Sequence, residues 1–172
     1  MTDDLASILA YNRWADVKLL GACRAVPPDR YGAEVAPGWA SLRSTIAHIA
    51  AGTDLWTRRF LGEPTGGFVP EAELATPDDA ARLLASAHDN LDRFVAGSTP
   101  ERLSSPFTYR NIQGKVLTLP LWAALRHVVN HETYHRGQAA SKLRRLGFEP
   151  PITDLSLWAF ERTPQPPAAP EG

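Results

Sequence analysis

Between Ser41 and Leu61, the positions Leu42, Ile46, Ile49, Thr53, Trp56 and Phe60 recur at steps of three and four. That period matches one face of an α-helix, and Gly62 stands where a helix would end. Upstream, Leu5, Ile8, Leu9, Trp14 and Leu19 give a broadly helical spacing from Asp3 to about Val26, stopped by Pro27-Pro28. Thr76-Pro77-Asp78-Asp79 opens a third helix. The threonine can cap, the proline fits the first turn, and Asp79 stands at the acid position of a capping box. Leu84, Ala87, Leu91 and Phe94 continue its inner face to about Ala96, where Gly97 and Pro100 close it. A fourth helix runs from Pro120 to about Leu146, with Leu121, Leu125, Val128, Ala139, Leu143 and Leu146 as its apolar face. The period changes only near Phe107-Thr108-Tyr109 and Val116-Leu117-Thr118. These β-prone runs flank the turn chemistry of Asn111 to Gly114 and predict a small hairpin.

Four apolar stripes need mutual burial, so the predicted fold class is all-α: a four-helix bundle with a small hairpin and a short C-terminal helix over Asp154 to Phe160. The connections are long enough to allow more than one topology. The expected division is a helical bundle over residues 1–162 and a loose tail over 163–172, TPQPPAAPEG. A chain of 172 residues suits one domain. Its 18 basic and 19 acidic residues nearly cancel, so nothing favours a nucleic-acid partner. The short basic runs Arg58-Arg59 and Lys142 to Arg145 read as solvated faces. A single cysteine, Cys23, excludes an intrachain disulfide framework. The start, MTDDLASI, has no signal-peptide character, and no apolar run is long enough for a membrane span. The expected setting is therefore cytoplasmic.

Three of the five histidines fall within nine residues, in HVVNHETYHRGQ at 127–138. On a helix, His127 and His131 differ by about 40° and 6 Å, as do His131 and His135; either pair can converge on one ion. His127 and His135 lie about 80° and 12 Å apart, too far to share an ion with metal–nitrogen bonds near 2 Å. A third ligand must come from another helix. The apolar arc places His135 inside or beside the buried face, His131 at its edge and His127 further toward solvent. That order favours His131 with His135. The third ligand is His48 or His88. Small neighbours (Ala47, Ala51 and Gly52) leave room around His48, whereas Asp92, one turn from His88, offers it an ordinary partner. The competing reading is that histidines on a boundary face simply hydrogen-bond.

Other residues near these positions carry weaker signals. Glu132 follows His131 but points about 100° away, which reads as a structural or interface acid rather than a base. Gln138 can hydrogen-bond a ligand, Arg136 either holds an anion or faces solvent, and Asn12 can supply polarity if its helix faces the site. Asp54 can orient a neighbouring side chain, while Tyr134, Trp14, Trp39, Trp56, Trp122 and Trp158 read first as packing or surface groups. Cys23 is remote from the histidines in sequence.

The stretches YNRWADVKLL at 11–20, SLRSTIAHIAAGTDLW at 41–56 and HVVNHETYHRGQAASKLRRLG at 127–147 resemble the DinB/YfiT-like family of metal-binding helical bundles. The resemblance implies a divalent-metal site made by His48, His131 and His135, with nickel or zinc as the ion, and a homodimer. It also implies a choice of roles. Some relatives are small-thiol transferases or isomerases; others are damage-inducible proteins of unresolved chemistry. Three functions are therefore expected to compete: a metal-dependent small-thiol transferase acting on a small molecule, a hydrolase using metal-activated water, and a non-catalytic metal-stabilised stress-response module. The letters His131-Glu132-Thr133-Tyr134-His135 match the HExxH of zinc proteases, but Glu132 reads as a structural or interface acid rather than a base, so a direct assignment to that class is not made.

Overall fold

The computed structural model describes residues 2–64 and 66–164. The chain forms α1 (Thr2–Arg24), α2 (Pro28–Tyr31), α3 (Leu42–Leu61), a 3-10 turn (Glu71–Leu74), α4 (Pro77–Ala96), α5 (Pro100–Ser104), β1 (Pro106–Arg110), β2 (Val116–Pro120), α6 (Leu121–Arg145) and α7 (Leu155–Phe160). The four expected long helices, the hairpin and the short terminal helix are all present. The single-turn elements α2, α5 and the 3-10 turn were not expected, because one turn is too short to show a period. Most of the expected loose tail, residues 165–172, lies outside the described residues.

Local chemistry sets the helix ends. The Ser41 side chain accepts the Ser44 amide while Ser44 Oγ accepts the Ser41 amide, a reciprocal cap on α3. Thr76 and Asp79 do the same for α4. Gly62 ends α3 in the left-handed region at φ 71°, where a side chain would be strained. Pro120 is the last residue of β2 and the cap of α6, one step before the first helical turn.

α1 packs on α4 and α6, and α3 packs on the same two helices. The sequence neighbours α1 and α3 are therefore diagonal, as are α4 and α6. Side-chain pairs give the directions. Asp4 meets Arg126 and Asp16 meets Arg136, so α1 and α6 run parallel. Arg13 meets Asp89 while Arg24 meets Asp78, so α4 is antiparallel to α1. His48 meets His135 while Trp56 meets His127, so α3 is antiparallel to α6. The order is up-down-down-up. The two long helices that run parallel in succession, α3 and α4, are joined by the long connection that contains the 3-10 turn.

Two apolar clusters fill the bundle. One gathers Leu19, Cys23, Leu42, Ile46, Ile49, Leu84 and Leu143; the other gathers Leu5, Leu9, Trp56, Leu91, Leu125 and Val128. Between them lies a buried polar layer of Asn12, Asp16, Thr53, His88, Glu132 and Arg136. The hairpin lays Tyr109 on Trp56 and Phe107 on Phe60, covering one side of the α3–α6 seam. β1 and β2 pair antiparallel, Thr108 opposite Thr118. At the other side, Tyr11 donates to the Thr153 carbonyl and meets the edge of Trp158 on α7.

Candidate metal centre

The α3–α6 seam brings His48 to His131 and His135. Their ligand-type nitrogens all lie within 4.8 Å of one another, and Nε2 of His48 is 3.1 Å from Nε2 of His131. Two nitrogens sharing a tetrahedral zinc at 2.0–2.1 Å would lie about 3.3 Å apart, so this donor set fits one small ion. His135 sits 4.4 Å from each of the other two rings. Its Nδ1 is 2.9 Å from Oε1 of Gln138. Donation from Nδ1–H to that oxygen leaves Nε2 with its lone pair free, the tautomer a ligand needs.

Small residues make the approach possible. A Cβ at Gly52 would stand 3.3 Å from Cε1 of His131. Burial, reinforced by repulsion from His135, lowers the His48 imidazole to about 4. Burial and repulsion from the neighbouring histidines lower His131 to about 3. Both rings are neutral near pH 7, the form that binds a metal.

The expected gradient around α6 is present. His135 is buried, His131 half-buried and His127 exposed. His127 packs on Trp56 at 4.9 Å and stands 5.7 Å from His131, at the rim rather than in the cluster. Trp39 stacks on His48 at 4.2 Å and Phe68 approaches the same ring at 5.9 Å. A cavity of about 220 Å³ opens beside His48 between Trp39, Ala47, Phe68 and Glu71. Trp39 and Phe68 come from connections, where no periodic signal marks a site. Tyr134 is exposed, with its ring against the edge of His135. Asp54 pairs with Arg58.

His88 does not join this cluster, and its partner is not Asp92. Asp92 pairs with Arg13, while Nε2 of His88 lies 3.0 Å from Asp16 Oδ2 in the buried polar layer. Arg136 is at the centre of that layer. Its Nη1 donates to Asn12 Oδ1 at 2.7 Å and Asp16 Oδ1 at 3.0 Å, with Glu132 Oε2 at 3.4 Å. Asp16, His88 and Glu132 also converge within 4.8 Å, a second grouping of ligand-type atoms. The guanidinium already supplies positive charge there, so an added cation would meet like charge.

The two carboxyl groups of this layer divide one charge. Burial opposes ionisation of Asp16, but hydrogen bonds from His88 and Glu132 and the Arg136 charge outweigh it and hold Asp16 below the ordinary range. Burial, followed by the Asp16 charge, pushes Glu132 well above it. Thr53 Oγ1 is 2.7 Å from Glu132 Oε1 and 2.9 Å from the Ile49 carbonyl. Its single hydroxyl proton serves both acceptors, so it offsets the upward push on Glu132 only in part. The missed partner Asp16 did leave a signal: with Leu5, Leu9, Asn12 and Leu19 it lies on the apolar face of α1.

Cys23 is fully buried, and burial pushes its thiol up to about 12, which leaves it unreactive.

Fold and site together define a class: an up-down-down-up helical bundle with a histidine triad across one helix seam, bordered by an open cavity. A model of the DinB family matches residues 1–166, and the chain belongs to that family. Protein DinB of Bacillus subtilis (strain 168) is 25% identical over 165 residues, covering 93% of this chain and 96% of that protein. The crystal structure of a DinB-like protein from Bacillus cereus ATCC 10987 matches with a TM-score of 0.59 at 18% identity, over 83% of this chain and 91% of that one. A DinB-like protein (YjoA) from Bacillus subtilis gives a TM-score of 0.59 at 18% identity, over 86% and 96%. At that identity the two structures show a shared fold. Among the described residues, no helix is long and apolar enough to cross a membrane.

Proposed function

We propose that His48, His131 and His135 hold one divalent ion, nickel or zinc, and that the protein is a metal-dependent small-thiol transferase. The observation that carries the metal reading is the convergence of three imidazoles beside a cavity. Three protein nitrogens leave at least one coordination position for a small molecule. When bound, such an ion supplies a Lewis acid that lowers the pKa of a coordinated thiol or water.

The surroundings favour a thiol over hydrolysis. Hydrolysis needs a base aimed at the reacting water. Glu132 points into the buried layer toward Thr53 and Arg136, and Glu71, which lines the cavity, is paired with Arg43. A thiol needs no such base once its proton is labile. Trp39 and Phe68 give the cavity apolar walls suited to the body of a small molecule. A homodimer belongs to the same proposal, and sedimentation velocity on untagged protein tests it.

The deciding experiment is metal analysis of protein purified without an affinity tag, alongside His48→Ala, His131→Ala and His135→Ala. Near-stoichiometric metal in the parent and its loss in each variant is the expected result; retention in any variant removes that residue from the set. Cobalt-substituted protein then reports on the chemistry. A small thiol should generate a thiolate-to-cobalt charge-transfer band, and its absence with every thiol tried rejects the thiol reading.

A further inference from the structure

A second cavity, of about 160 Å³, opens on the other side of the triad, between α3, the hairpin and α6. His131 is among its lining residues, together with Trp56, Arg59, Tyr109, Ile112 and His127. Contacts of 4.8 to 5.7 Å lead from Arg59 to Trp56, from Trp56 to His127 and from His127 to His131. One molecule can therefore touch both the arginine and the edge of the triad.

Arg59 stands out among the chain's cations. Its guanidinium is held against the faces of Trp56 and Tyr109, at 4.8 and 5.0 Å. Nη2 donates to the Arg110 carbonyl at 3.0 Å, while buried Nε has no acceptor among the described residues. Among the described residues no carboxylate pairs with it, although its neighbour Arg58 is paired with Asp54. No acidic side chain lines the cavity among the described residues. The group is thus a fixed, half-buried positive charge without a counter-ion. The aromatic rings hold it in place but do not neutralise it.

We propose that this cavity is a substrate subsite that receives a small organic carboxylate with a flat apolar body, its carboxylate on Arg59 and its other end toward His131. A planar guanidinium matches a carboxylate in shape and charge. The walls, Trp56, Tyr109 and Ile112, suit an apolar ring. A cavity of roughly 150 Å³ is known to take a benzene-sized ligand, so benzoate is a probe of the right size. The inference adds a substrate class to the proposed metal site, and rests on that reading only for which end of the molecule reacts.

The test uses full-length protein titrated with benzoate and with neutral benzamide, followed by NMR of the tryptophan indole and tyrosine ring signals. Benzoate should bind with a Kd below about 10 mM and at least about tenfold tighter than benzamide. Its signals should show contacts to Trp56 and Tyr109. Arg59→Met should abolish the preference for the acid, and Arg59→Lys, which keeps the charge but loses the fork, should fall between. Equal affinity for the two probes in the parent protein overturns the proposal. So does unchanged preference in Arg59→Met, contacts elsewhere, or no benzoate binding. The parent comparison decides even where a variant folds poorly. The metal reading is scored separately: Arg59→Met should keep its metal, and His48→Ala should lose metal while still preferring benzoate.

Discussion

Gly52→Ala sets fold stability against metal affinity, and the two should move in opposite directions. Gly52 is buried inside α3, where alanine is favoured over glycine by roughly 1 kcal/mol. For a chain of this size, that raises the melting temperature of the metal-free protein by about 2–4 °C. The new methyl would stand 3.3 Å from Cε1 of His131, so that ring must yield by a few tenths of an ångström. Half-buried, with a cavity beside it, His131 can yield in the metal-free protein. In a loaded site it has less freedom, because metal–ligand distances hold to about 0.2 Å. Misplacing one ligand should weaken zinc by about tenfold to a hundredfold, the range seen when groups that orient a ligand are removed. That corresponds to about 1.4 to 2.7 kcal/mol. Thermal melts with and without zinc, paired with competition against a chromophoric chelator, measure both effects. An unchanged zinc Kd would refute a ligand role that depends on the present position of His131. A lower metal-free melting temperature would show that the ring cannot yield.

Three further outcomes are expected. Glu132→Gln replaces a protonated carboxyl with a near-isostere and should cost under about 1 kcal/mol, whereas Asp16→Asn removes the charge facing Arg136 and should cost about 3 kcal/mol or more in urea unfolding; the reverse ranking would put the proton on Asp16. His88→Ala leaves Asp16 short of a buried hydrogen bond and should cost about 1–3 kcal/mol without changing metal stoichiometry, and metal loss would join the two clusters functionally. Metal-free protein should lose stability on acidification. His48 and His131 titrate at about 4 and about 3 when folded, against an ordinary 6.5, so between those values the unfolded chain binds more protons. Their contribution is complete above about pH 6.5 and declines as the pH falls toward 4 and then 3. Urea midpoints across that window should fall less steeply in His48→Gln; an identical slope would mean that His48 is not held neutral by the fold.

Most of the bundle was legible because burial and period coincide: the full stripe from Leu42 to Phe60 is buried in α3. The triad was legible for a related reason. A spacing of four drifts about 40° per step around α6, so three evenly spaced histidines cannot be equivalent. Their exposures fall in the order His127, His131, His135, as the apolar arc implies. Spacing alone could not choose between His48 and His88, since that depends on which helix lies beside α6. With α4 diagonal to α6, His48 and not His88 lies beside His131 and His135, and the family resemblance had implied the same residue. The aromatic walls from Trp39 and Phe68 depend on the paths of connections, which carry no period.

The buried layer was the least legible part, since charged residues read as surface. Glu132 and Arg136 are each one residue beyond a triad histidine, and so form a second stripe turned about 100° from the first. One stripe faces the seam with α3; the other faces the interior. The interior stripe reaches three helices: Asp16 and Asn12 on α1, Thr53 on α3 and, through Asp16, His88 on α4. A turn of α6 that re-aimed His131 would also draw Arg136 away from Asp16 and leave charges buried without partners, an error costing several kcal/mol. The polar layer therefore does for the histidines what a uniform apolar core could not. Leucine contacts tolerate small rotations, but a directional ion pair penalises them and so holds the azimuth of the helix that carries two members of the triad.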